Sequence, residues 1–98
     1  MESKLALEPY EEDVLFAMFD SGLIGPKNYK PIEKVCSMIK WPQIAQKHKV
    51  KKKCSKVLRH LSSKGYIDFH GKAGDVASLT KFGVDYVMGK RKKEMPAQ

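Results

Sequence analysis

The stretch that constrains this chain most is segment 44–67, IAQKHKVKKKCSKVLRHLSSKGYI. It predicts a short helix, a turn, a longer helix and the entry to a strand. Ile44 and Ala45 face the first helix inward, and Val50 plugs the turn. Cys54, Leu58 and Leu61 recur at i, i+4 and i+7, one face of an α-helix, with Val57 at its edge. The opposite face carries Lys52, Lys56, Arg59 and Ser63, with Ser55 at its margin. Gly65 follows the last turn, where a left-handed cap is expected. Tyr66, Ile67, Asp68 and Phe69 then alternate as in a half-buried strand.

Charge sharpens the picture. Between Lys34 and Ile67 there are ten Lys or Arg and no Asp or Glu. Like charges along one helix face repel unless something anionic meets them. Residues 1–33 carry seven acids and three bases, whereas residues 34–98 carry four acids and sixteen bases. The excess of +8 is therefore concentrated in one half of the chain. That asymmetry predicts one oriented polyanion-binding surface. Double-stranded DNA is a polyanion whose major groove admits a helix.

A chain of 98 residues with 42% apolar content supports one domain with a modest core. The expected limits are a loose segment 1–8, a domain over 9–90 and a flexible basic tail over 91–98. No apolar run approaches the length of a membrane span, and the N-terminus MESKLALEP lacks the features of a signal peptide. A cytoplasmic location is expected, with Cys36 and Cys54 as free, buried thiols. Both can face the same core, and a bridge between them is the alternative if the source is a hyperthermophile, where intracellular bridges occur.

Taken in order, Glu8-Pro9 opens a first helix whose early acids, Glu11, Glu12 and Asp13, suit the positive end of its dipole. Its apolar stripe is Tyr10, Val14, Leu15, Met18 and Phe19, broad enough either to cap the core or to pair with a second copy. A loop with a short strand near Tyr29 follows, then a second helix from Pro31 with Ile32, Val35, Cys36 and Ile39 inward. Trp41-Pro42 breaks that helix and starts the next, with Trp41 read as a packing residue. Lys51, Lys52 and Lys53 then stand at the start of a helix over about 51–64, unfavourable beside the dipole unless phosphates approach that end. Segments 66–69 and 76–79 form a hairpin with Gly71 to Asp75 at its tip, where Lys72, with His70 nearby, is positioned to meet phosphate. Thr80 caps a last helix in which Gly83 permits close packing and Gly89 weakens the end.

These features resemble the winged helix-turn-helix family of DNA-binding proteins. The matching text is Ile44-Ala45, Val50, the Cys54/Leu58/Leu61 face, the run Leu61-Ser62-Ser63-Lys64-Gly65-Tyr66-Ile67, and downstream Leu79-Thr80, Gly83 and Tyr86-Val87. Small archaeal and viral regulators and bacterial regulators of the MarR and PadR type carry similar text. The resemblance covers about residues 9–90. One departure is Lys49, where the family usually has a small residue or Gly before the Val. The resemblance implies a mainly α fold with a small antiparallel β-hairpin, in the order helix, helix, helix-turn-helix, wing, helix, and a homodimer matching a palindromic site.

The expected function is sequence-specific binding of double-stranded DNA by a transcription regulator. The expected DNA-binding residues are Lys51, Lys52, Lys53, Ser55, Lys56, Arg59, Ser63 and Lys72. Arg59 suits a bidentate contact to guanine, and the lysines suit phosphates. Three other readings stay open: non-specific architectural binding of DNA, binding of RNA, and contacts with an acidic protein. Exposed aromatics for base stacking are sparse, which weighs against single strands. No metal or cofactor is expected. His48, Cys54 and His60 stand six residues apart, which on a helix points neighbours roughly 240° apart. No nucleophile elbow, phosphate-cradling loop or paired carboxylates mark the basic half, so an enzyme is not expected.

Overall fold

A computed structural model describes residues 7–25, 28–72 and 74–94, the side chains of 92–94 excepted. Five helices and a small antiparallel sheet follow in the order α1 (Pro9–Asp20), β1 (Lys30–Pro31), α2 (Ile32–Met38), α3 (Trp41–His48), α4 (Cys54–Ser63), β2 (Ile67–His70), β3 (Val76–Leu79) and α5 (Lys81–Glu94). Of the flanking segments expected to be loose, residues 1–6 and 95–98 lie outside the described residues.

Helix α1 is the hub. The Glu11 carboxylate accepts the Glu8 N–H at 2.9 Å, closing the helix start, and Val14, Leu15 and Met18 have no exposed surface. Burying each such side chain contributes about 1.5–3 kcal/mol. The helix packs on α2, α3, α5 and β3, so this part of its stripe serves the molecule's own core. Trp41 is buried and meets Tyr10 edge-on, with 6.3 Å between ring centroids.

The sheet has the order β1-β3-β2, with Ile67 opposite Leu79 and His70 opposite Val76. It is a three-stranded sheet: the short strand expected near Tyr29 lies at Lys30–Pro31 and joins the expected hairpin. Lys30 and Pro31 pair with Ala77 and Val76 along the free edge of β3, a partnership invisible to local periodicity because β1 is two residues long. At the other junction, Tyr66 N–H reaches Leu61 C=O at 3.1 Å and Gly65 N–H reaches Ser62 C=O at 2.9 Å, with Gly65 at φ +91°. This double closure stops α4 and feeds β2. Thr80 Oγ1 accepts the Gly83 N–H at 3.0 Å and donates to Gly65 C=O at 2.7 Å, tying the start of α5 to the end of α4.

Three expectations need correction. Helix α4 begins at Cys54, not at 51: Lys53 is its extended N-cap, at ψ 146°, so the lysine run precedes the helix and stands at the positive end of its dipole. The cysteines are not free. Packing of α2 on α4 brings Cys36 and Cys54 to a Cα separation of 6.1 Å, within bridging range, and they form a disulfide. Finally, α5 runs through Gly89 to Glu94, past the expected domain limit at 90. Arg91 is drawn back onto α1, with guanidinium nitrogens 2.7 and 2.8 Å from the two Asp20 carboxylate oxygens. Among the described residues, no helix is long and apolar enough to cross a membrane.

Candidate nucleic-acid interface

Helix α4 is divided lengthwise. Val57, Leu58 and Leu61 are buried, and Cys54 is anchored through its disulfide. Lys56, Arg59, His60 and Ser63 are exposed on the other side. Spacings of three and four residues place them in one stripe. The turn ahead of α4 is set by Lys49, in the left-handed region at φ +56°, and by Val50 N–H to Ala45 C=O at 2.8 Å. That geometry brings Lys51, Lys52 and Lys53 past the start of α4 with all three side chains exposed.

An open groove of about 500 Å³ is lined by Tyr10, Lys52, Lys56, Val57, Arg59, His60 and Ser63. It unites four of the residues expected from sequence: Lys52, Lys56, Arg59 and Ser63. An adjoining hollow, lined by Lys49, Lys51, Lys64 and Glu8, shares Tyr10, Lys52 and His60 with it. Lys51 therefore stands next to the groove. Lys53 and Ser55 do not line it, Ser55 being half-buried in the first turn of α4. Lys72 is exposed at the tip of the β2–β3 hairpin and is not in the groove either. Ser63 donates its hydroxyl to His60 C=O at 2.7 Å, which leaves it an acceptor toward the groove.

Charge in the folded molecule is sorted by helix α1. Its acids each meet bases from the other half of the chain. Asp13 lies 2.7 Å from His48 and 3.4 Å from Lys47, and Glu12 lies 3.4 Å from Lys90 while accepting from the Tyr86 hydroxyl. The Arg91 hydrogen bond holds the Asp20 carboxyl below its ordinary value. Glu11, fully buried, lies 2.8 Å from Lys64 Nζ and 3.3 Å from His60 Nδ1. Among the described residues, no ion pair involves Lys51, Lys52, Lys53, Lys56 or Arg59. The acid-rich front of the chain thus neutralises the bases facing α1 and, among the described residues, leaves Lys51, Lys52, Lys53, Lys56 and Arg59 outside those ion pairs. Lys52 donates to Tyr10 Oη at 3.2 Å, a bond that raises its ammonium above the ordinary value and keeps it cationic.

Sequence reasoning missed Tyr10, His60, Glu11 and Phe69, whose ring centroid lies 5.6 Å from the Arg59 guanidinium. His60 was legible, since it follows Lys56 by four residues on the same face. Tyr10 was read as core by its position in the α1 stripe, which is right for its ring, 8% exposed, but does not reveal that its hydroxyl reaches Lys52. The Glu11–Lys64 pair joins residues 53 apart, and no local pattern announces it.

No protein-family model, characterised protein or solved structure matches the chain.

Proposed function

We propose that this domain is a winged helix-turn-helix and a transcription regulator that binds double-stranded DNA. In this reading α3 and α4 are the helix-turn-helix, α4 enters the major groove, and the β2–β3 hairpin is the wing beside the flanking backbone. The observation that carries it is the groove: Lys52, just ahead of α4, and Lys56 and Arg59, on the exposed face of that helix, converge there, the back of the helix is locked into the core, and among the described residues no carboxylate is paired to them. Cations presented along an exposed helix suit a phosphate-lined major groove, which admits a helix, better than they suit a flat acidic surface. The lysines release counterions from phosphates, which supplies affinity. Arg59 presents a planar fork of donors to base edges, which supplies preference.

A second copy is proposed to read the other half of a palindromic site. Such a dimer would join through α5, where Met88 is 55% exposed. Sedimentation equilibrium with and without duplex tests this, and a monomer in both states contradicts it.

Selection from random duplexes followed by sequencing tests the main proposal. Enrichment of a shared motif is expected, with nuclease protection centred on it. The predominance of lysine over arginine around α4 favours one rival, non-specific coating of DNA. Retention of duplexes with no enriched motif would support that rival, and failure to retain duplexes at low salt would remove both readings.

A further inference from the structure

Two of the groove's cations are held by aromatic rings that come from different elements. Lys52 Nζ is 3.2 Å from Tyr10 Oη and 5.7 Å from the centroid of that ring, which α1 supplies. Tyr10 is itself fixed, being buried and edge-on to Trp41. The Arg59 guanidinium lies 5.6 Å from the centroid of Phe69, which β2 supplies. Phe69 is half-buried and packs against the core, paired across the sheet with Ala77. Long cationic side chains ordinarily lose rotamer freedom when a ligand orders them. Here two of them are ordered in advance, one against a residue of α1 and one against a residue of β2.

The two contacts leave different chemistry available. Lys52 donates to the tyrosine oxygen, so the Tyr10 O–H proton remains free, as do further ammonium protons. An anionic oxygen placed beside the pair accepts from both, which is how a phosphate is gripped, and it carries no sequence information. Arg59 is attracted to a ring and pairs with no described carboxylate, so its in-plane N–H fork stays open for a bidentate acceptor. Position agrees. Lys52 precedes α4 and Arg59 lies within it, so the two cations stand at different places along the groove.

We infer that the groove has a holding end and a reading end: Tyr10 and Lys52 together clasp one backbone phosphate, while Phe69 aims Arg59 at a base edge and is the positioning residue for sequence preference. This inference rests on the DNA-binding reading above. The test uses the full chain, the selected duplex and its single-base-pair variants. Phe69→Leu is expected to lower discrimination at one base pair by about two- to fivefold, with the salt dependence of affinity unchanged. Phe69→Tyr, which keeps the ring, restores discrimination, and Arg59→Ala abolishes it at the same base pair. Tyr10→Phe is expected to weaken all duplexes alike by about two- to tenfold, with preference intact. If Phe69→Leu fails to fold, Arg59→Lys carries the test: it keeps the charge, lacks the fork, and loses preference at that base pair alone.

Uniform weakening by Phe69→Leu, or full discrimination in Phe69→Leu where Arg59→Ala has none, overturns the positioning role and leaves DNA binding standing. Absence of preference in the unaltered protein overturns it too. Unchanged duplex affinity in Arg59→Ala and in Lys52→Ala/Lys56→Ala removes the DNA-binding reading itself, a different and recognisable failure.

Discussion

Reducing the Cys36–Cys54 bridge is expected to cost more stability than any single surface change in this molecule. The bridge joins α2 to the first residue of α4 across a sequence separation of 18 and encloses α3. In the chain-entropy model, closing a loop of that length destabilises the unfolded chain by about 3 kcal/mol. For a domain of this size each kcal/mol moves the midpoint by roughly 4–8 °C, so reduction should lower Tm by roughly 12–24 °C. The effect should be felt first at the start of α4, where Lys53 offers no side-chain cap and the surrounding lysines oppose the dipole. The assay is a melt followed by circular dichroism, with and without a dithiol reductant, alongside hydrogen exchange of the α4 amides. The Cys36→Ser/Cys54→Ser variant serves as a reductant-insensitive control and should melt with the reduced protein. A denaturing thiol titration must first find no free thiol in the oxidised protein. A melt that shifts by less than a few degrees after complete reduction would refute the reasoning.

Four smaller expectations follow from the same geometry. A Cβ on Gly83 would sit 2.4 Å from Tyr66 C=O, so Gly83→Ala should destabilise by about 1–3 kcal/mol in denaturant titrations, against helix propensity. Gly89 has open space around its would-be Cβ, so Gly89→Ala in the same helix should stabilise by about 0.5–1 kcal/mol, and equal signs for the two would contradict the packing described. Glu11→Gln removes a fully buried carboxylate 2.8 Å from the half-buried Lys64 ammonium and should cost about 3 kcal/mol, read by the same titration. The Asp20 carboxyl is held below its ordinary value of 3.8 by Arg91, so the pair's contribution is present above that value and is lost as pH falls through the lower folded one. Arg91→Ala should therefore narrow its stability gap to the unaltered protein in acid, and a gap independent of pH would point to the Arg91 contacts with Phe16 and Phe19 instead.

Much of this was legible in the sequence wherever one residue's neighbours decide its fate. The i, i+4, i+7 spacing of Cys54, Leu58 and Leu61 marked the inner face of α4, and Gly65, Thr80 and the Gly-rich tip marked the ends of elements. Features set by distant partners were not legible. The sequence offered a Cys36–Cys54 bridge only as the alternative to free thiols, because their approach depends on how α2 packs on α4. The basic run after Gly89 looked like a loose tail because Asp20, its partner, stands 71 residues earlier. The candidate site was half visible. Helical spacing found Lys56, Arg59 and Ser63, but the rings that steady Lys52 and Arg59 come from α1 and β2, which only the folded chain brings alongside. Lys49 adopts a left-handed conformation usually left to glycine, and the sequence showed only that it was an unusual residue for a turn.

The salt dependence of duplex affinity in the Lys52→Ala/Lys56→Ala/Arg59→Ala protein tests the central claim most directly. If these three cations displace counterions from phosphates or lie among them, the slope of log affinity against log salt should become shallower by up to about 2.7, at roughly 0.9 for each phosphate that the variant leaves unneutralised. A slope equal to that of the unaltered protein would mean that this face of α4 does not meet the nucleic acid.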